Sequence, residues 1–197
     1  MPQTTAIVLA AGQSTRMGEE NKLLLPFRNK TILETVVDTL LSVPVEEIVI
    51  VTGFEDRQIR DVLASYHVRV AYNPEFAAGM STSIRRGILA IGPEVDGYMI
   101  CLADMPGIKA STIKRLLDVF SVQKEPSIVV PTIDGHRGHP VIFHRAFRNQ
   151  LLQLHGDTGA REVILNHPEA VVEVTVDDEG IFQDIDTRIN YNDMFRT

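Results

Sequence analysis

A chain of 197 residues with 44% hydrophobic side chains has material for one domain with a sizeable core, and is not a disordered segment. Its net charge of −7 argues against non-specific nucleic-acid binding as the main task, while leaving room for a local basic site. One cysteine, Cys101, excludes an intrachain disulfide; with no signal-like opening and no run of about 18 apolar residues, a cytosolic protein without a membrane partner is expected.

The most informative stretch runs from Ala6 to Pro26, AIVLAAGQSTRMGEENKLLLP. Ala6 to Ala10 is a short apolar run that reads as a buried parallel strand. Ala10, Ala11 and Gly12 are small, so a bulky ligand can come close to the backbone. A short helix can start at Gln13, Ser14 and Thr15, and its N–H groups would point at an anion. Arg16 and Lys22 add two cations near the strand end, which completes a phosphate site. The ordinary alternative is a strand–turn–helix with surface cations. A Walker A loop does not fit, because Gly18 falls one position too late after Gly12 and Glu19 stands where lysine is needed. The dinucleotide Gly-x-Gly-x-x-Gly pattern fails at Gln13-Ser14.

Beyond that loop, strand-like and helical patterns alternate. Ile32, Val36, Val37, Leu40 and Leu41 recur at helical spacing, with Thr31 as N-cap and Glu34 placed for a capping box. Ile48 to Val51 is a β-branched strand ending at Thr52-Gly53. Ile59, Val62 and Leu63 mark a helix, and Val68 to Tyr72 a strand. This βαβα rhythm predicts a mostly parallel sheet covered by helices on both faces. Ligands of such sheets bind outside the carboxyl ends of the strands. The first loop, Thr52-Gly53 and the segments after Tyr72 and Leu102 therefore share one rim. No repeat, linker or low-complexity segment divides residues 1–197, so a single domain is expected.

Asn73 to Arg86 opens with an Asn-Pro turn, and Gly79 precedes a helix rich in Ser81, Thr82 and Ser83. Those hydroxyls either cap the helix or face a ligand at its positive end. Tyr98 to Leu102 is a strand, and Asp104 lies just past it, where it either holds Mg²⁺ or caps the turn before Pro106. Ala110 to Phe120 is a helix with Ile113, Leu116, Leu117 and Phe120 on one face, and Ile128 to Val130 is a strand. In Asp134 to Phe143, Gly135 and Gly138 make a compact loop before a strand at Val141 to Phe143. His136 and His139 invite a zinc reading, but no cysteine or His-Glu-x-x-His partner supports it. In Gly156 to Arg161, Asp157 or Thr158 can cap the helix marked by Val163, Ile164 and Leu165, with Arg161 presented to an anion. Val171 to Val176 alternates as a half-exposed strand. Asp184 and Asp186, two apart in an extended stretch before a short terminal helix with Ile189 and Phe195, share one face, and either can complete a metal site with Asp104.

LAAGQSTRMG with Lys22 and Pro26, the Gly79–Ser83 segment, Leu-Ala-Asp-Met-Pro around Asp104, Gly138-His139-Pro140 and Asp-Ile-Asp-Thr at residues 184–187 follow one another along nearly the whole chain. Together they resemble the molybdenum cofactor cytidylyl- and guanylyltransferase group of the nucleotidyltransferases. The resemblance implies a three-layer α/β/α sandwich of the nucleotide-diphospho-sugar transferase type. It implies that Leu9, Ala10, Ala11, Gly12, Arg16, Lys22, Thr52, Gly53, Gly79, Ser81 and Ser83 hold the nucleotide. Arg16, Lys22 and Asp104 would be catalytic, with Mg²⁺ on Asp104 and Asp186. Gly138, His139, Pro140, Gly156, Asp157, Gly159 and Arg161 would face an acceptor carrying a terminal phosphate. One departure is Arg188, where the family usually has proline after the Asp-Ile-Asp-Thr motif, so Asp184 and Asp186 both stay open as ligands.

The implied reaction is attack of an acceptor phosphate on the α-phosphorus of an NTP with release of pyrophosphate. Both partners are anions, so catalysis rests on positioning and charge neutralisation rather than on a covalent nucleophile. In the resembled family Leu-Ala-Ala-Gly goes with CTP and Leu-Ala-Gly-Gly with GTP, so the resemblance implies CTP, with a guanylyltransferase on the same acceptor as the alternative. The resemblance then implies molybdenum-molybdopterin as the acceptor, serving a target enzyme such as a xanthine dehydrogenase. Sugar or polyol phosphates are the alternative acceptors, and a non-catalytic cofactor-binding accessory protein is the rival from another class.

Overall fold

A computed structural model of the protein describes residues 3–13 and 21–193. Arg16, the short helix expected after Gln13 and Phe195 lie outside the described residues. The strands are β1 (Thr4–Ala10), β2 (Pro26–Phe27), β3 (Lys30–Thr31), β4 (Glu47–Thr52), β5 (Arg69–Tyr72), β6 (Gly97–Leu102), β7 (Ile128–Ile133), β8 (His136–Arg137), β9 (Val141–His144) and β10 (Val171–Thr175). The helices are α1 (Ile32–Leu41), α2 (Asp56–Val62), α3 (Met80–Ile91), α4 (Ala110–Ser121), α5 (Arg148–Leu152), α6 (Arg161–Asn166) and α7 (Arg188–Asp193).

The main sheet runs β10-β7-β9-β6-β1-β4-β5, with β8 added to β7. β1 lies at its centre, parallel to both β4 and β6. Ala6, Ile7 and Val8 are fully buried, as a strand covered on both faces requires. Side chains alternate across the sheet. Ala6, Val8 and Ala10 join a core with α1, α2 and α4, whereas Ile7 joins a second core with α3 and α5. These are the two outer layers of an α/β/α sandwich. α1 starts with the expected capping box: Glu34 N donates to Thr31 Oγ1 at 3.2 Å, and Thr31 N donates to Glu34 Oε2 at 2.8 Å.

β9 is antiparallel to both β6 and β7, which the βαβα rhythm does not announce. Its cause is local. Asp134 and Gly135, at φ 50° and 78°, form a two-residue turn that folds β8 back on β7. The few residues from there to Val141 are too short for a parallel crossover. Among the described residues, no helix is long and apolar enough to cross a membrane.

Two capping expectations are corrected. Ser81, Thr82 and Ser83 lie inside α3, whose N-cap is Gly79. Thr82 Oγ1 donates to Gly79 O at 2.8 Å, and Asn73 Nδ2 donates to Thr82 Oγ1 and Ser83 Oγ at 2.8 and 3.0 Å. The carboxylate at this helix start comes from far along the chain, since Met80 N donates to Asp157 Oδ1 at 2.9 Å. Asp157 therefore caps α3. α6 begins after Ala160 with no side-chain cap from Asp157 or Thr158.

Candidate active site

The carboxyl ends of β1 and β6 open into a cleft with two lobes. The first, of about 690 Å³, lies over Ala11, Gly12 and Gln13 and is bounded by Lys22, Phe76 and Asp104. The second, of about 620 Å³, lies over β7 and β9 toward α6. Met80, Leu102 and Asp157 line both lobes and form the partition between them. That partition depends on Gly79, which has φ 107°; a Cβ there would lie 2.6 Å from Gly156 O. Ser81 N donates to that same carbonyl at 3.2 Å. The start of α3 and the 156–161 loop are thus locked together.

At the inner end of the first lobe, Lys22 projects from a short 3₁₀ turn, Lys22–Leu24, fixed by Asn21 Oδ1 accepting from Leu23 N at 3.1 Å. Its Nζ donates to Asp104 Oδ2 at 2.5 Å and to Asp186 Oδ1 at 2.7 Å. Burial works against the Lys22 ammonium, but Asp104 first and Asp186 second outweigh it and hold the pKa above the ordinary lysine value. Asp184 completes the group: one oxygen each from Asp104, Asp184 and Asp186 lie within 4.8 Å of one another. Partial burial, and then the neighbouring Asp186 and Asp104 carboxylates, raise the Asp184 pKa. Ile185 N donates to Asp104 O at 3.0 Å, which fixes one side of this group against the other. Converging carboxylate oxygens that already attract a cation suit a hard divalent ion such as Mg²⁺ or Mn²⁺.

The second lobe has a different chemistry. Ile84, Ile100, Val130, Val141 and Phe143 form an apolar floor, each at most 4% exposed. Met80 and Leu165 stand at its mouth, 37% and 62% exposed. Its polar lining is His136, Arg137, His139, Asp157, Thr158 and Arg161, and Arg137 is ion-paired with Glu173 at 2.8 Å. Burial pushes the His139 imidazole below the ordinary histidine value, against the pull of Asp104 and a backbone bond at Ile100. The ring is therefore neutral at pH 7.

Of the residues singled out from the sequence, Leu9, Ala11, Gly12, Lys22, Gly79, Ser83, Asp104, Gly156, Asp157 and Asp186 line the first lobe. Gly138, His139, Asp157, Gly159 and Arg161 line the second. Gly156 thus borders the first lobe rather than the second. Other positions do not reach the cleft. Ala10 faces the α1–α4 core, because successive strand residues alternate. Thr52 is fully buried and donates its hydroxyl to Asp56. Gly53 sits behind the cleft wall, where a Cβ would lie 2.6 Å from Phe76 Cβ and 2.9 Å from Ala11 Cβ. Ser81 is 1% exposed and lines neither lobe. Pro140 turns away from both lobes toward Val36, Leu40 and Met105.

Phe76, Met80, Arg137, Ile164 and Leu165 were not anticipated. Only Gly53 hinted at the first: a glycine at a strand end can make room for a bulky neighbour. Apolar residues such as Ile164 and Leu165 look like core in a sequence.

The chain is 30% identical over 194 residues to nicotine blue oxidoreductase of Paenarthrobacter nicotinovorans, covering 95% of this chain and 94% of that one. It is 28% identical over 188 residues to the molybdenum cofactor cytidylyltransferase of Escherichia coli K12, covering 95% and 93%. Its fold superposes on Rv0371c of Mycobacterium tuberculosis H37Rv, solved as a complex with manganese, with a TM-score of 0.85, 28% identity and 99% of both chains covered. Residues 6–171, from the central strand through the 156–161 loop to the start of β10, match the MobA-like NTP transferase domain, and the chain belongs to that family of nucleotidyltransferase enzymes.

Proposed function

We propose that the protein transfers CMP from CTP to the terminal phosphate of a molybdopterin-type acceptor, releasing pyrophosphate, in the maturation of a molybdenum hydroxylase. The observation that carries the acceptor class is the second lobe. Its five-residue apolar floor, with Arg137 and Arg161 in the lining, suits a flat heteroaromatic body bearing a phosphate. A sugar or polyol phosphate would leave hydroxyls against Ile100, Val130 and Phe143 without hydrogen-bond partners. The Escherichia coli relative supports the same acceptor.

Ala11, Gly12 and Gln13 form the backbone bed of the first lobe, and Phe76 offers an aromatic wall. The triphosphate lies along this bed toward Lys22. Asp104, Asp184 and Asp186 would hold Mg²⁺, which when bound neutralises phosphate charge as a Lewis acid. The acceptor phosphate enters across the Met80–Asp157 partition, with Arg161 and His139 at the rim. Bringing two anions to one point is the main task, and the cationic side chains carry it.

The test is pyrophosphate release from a panel of CTP, GTP, ATP and UTP against molybdopterin and a polyol phosphate, with product mass measured. CTP with molybdopterin gives the cytidine dinucleotide. A preference for GTP would change the base but keep the reaction, and turnover only with the polyol phosphate would refute the acceptor. No turnover with any pair, together with cofactor binding, would favour an accessory protein. The relative named as an oxidoreductase supplies a further arm. Consumption of NAD(P)H with a quinonoid dye, in place of pyrophosphate release, would favour redox chemistry.

A further inference from the structure

We infer that Lys22 is the built-in counter-ion of the carboxylate group, and that a divalent cation binds there as the lysine leaves, so that metal entry is coupled to arrival of the substrate phosphates. The competition follows from position. Lys22 Nζ is held between Asp104 Oδ2 at 2.5 Å and Asp186 Oδ1 at 2.7 Å. An ion bound between those two oxygens would coincide with the ammonium, and the two cations would repel each other. Carboxylate lone pairs taken by an ammonium are also withdrawn from the shell of oxygen ligands that Mg²⁺ or Mn²⁺ requires.

The lysine has somewhere to go. It also lines the first lobe, beside Gly12 and Gln13. Its backbone is fixed by the Asn21 cap while its side chain has four rotatable carbon–carbon bonds, so the swing needs no movement of the fold. A polyphosphate in that lobe offers the ammonium equivalent charged acceptors and releases the carboxylates. One cation thus serves the carboxylates before substrate binds and the phosphates afterwards. The coupling to phosphates rests on the nucleotidyltransferase reading; the competition between lysine and metal does not.

The experiment measures Mn²⁺ binding without nucleotide, by the electron paramagnetic resonance signal of the free ion, in the wild type, K22M, K22Q and K22R. K22M and K22Q should bind one Mn²⁺ at least tenfold more tightly than the wild type, a difference of about 1.4 kcal/mol. K22R, which keeps the cation, should stay near the wild type. The gain should vanish when Asp104→Asn is added to K22M. Mn²⁺ should also raise the melting temperature of K22M and K22Q more than that of the wild type. Equal or weaker binding by both neutral variants overturns the inference, as does a gain that survives Asp104→Asn. Loss of the predicted turnover in the nucleotide panel, with this Mn²⁺ pattern intact, would overturn the transfer reading alone.

Discussion

Asp178 ties the segment that leads to Asp184 and Asp186 to the fold, and its removal should be costly. It is 2% exposed. Oδ2 accepts from Lys109 N at 2.9 Å and from Thr112 Oγ1 at 2.6 Å, and Oδ1 accepts from Gly180 N at 3.2 Å. The first two donors lie at the start of α4, which has no cap from its own N-cap side chain. Asp178→Ala would leave the buried Gly180 N–H and Thr112 hydroxyl and the part-buried Lys109 N–H without these acceptors, and remove an anion from the positive end of α4. A hydrogen bond to a charged group contributes about 1.5–3 kcal/mol, but three on one side chain are not additive. The expected net loss is about 3–5 kcal/mol, or roughly 6–20 °C in melting temperature for a domain of this size. Asp178→Asn should cost about half as much. Its amide oxygen can keep both bonds of Oδ2, while its NH₂ faces the Gly180 N–H. Urea denaturation followed by circular dichroism measures both variants. A loss below about 1 kcal/mol for Asp178→Ala, or equal losses for the two, would refute the reasoning.

Asp104→Asn should lower kcat by about 10²-fold or more while costing only about 1 kcal/mol of stability, because a rim carboxylate is lost without opening the core; near-normal turnover at saturating Mg²⁺ would exclude its role. Asp157→Ala removes the cap of α3 and should cost about 1 kcal/mol. It should also raise KM for both substrates, since Asp157 lines both lobes, and an effect on stability alone would contradict the partition. Burial pushes the Cys101 thiol up to about 12, so a disulfide reagent should label it only in urea, and rapid labelling of the native protein would place it wrongly. Burial, and then Arg145, lower the His144 pKa below 6.5 against the pull of Asp96. The unfolded chain therefore takes up the proton first, and this contribution to stability is complete above pH 6.5 and fades as pH falls through the folded value. His144→Asn, which can still accept from Ala146 N, should flatten part of that decline, with buried His139 accounting for another part.

What the sequence determined by itself was whatever is written in neighbouring residues. The β-branched runs of β1 and β4, the Thr31–Glu34 capping box and the apolar stripe of α4 all depend on spacings of a few positions. The rim position of Asp104 followed from a strand ending two residues before it. The glycine and alanine turn of the first lobe was legible for the same reason. Contacts between distant segments were not. Asp157 looked like the cap of the helix beside it, and only packing of the 156–161 loop on α3 gave it Met80 N instead. Thr52 looked available because it ends a strand at the rim, and Ser81 because it stands at the start of a helix, but the strand and helix directions turned them inward. Lys22, Asp104 and Asp186 span 164 positions, and no local pattern states that their charged ends meet. Side-chain direction and long-range pairing are fixed when the layers pack. The tertiary structure alone therefore decided that the lysine lies between the carboxylates and that the second lobe has an apolar floor.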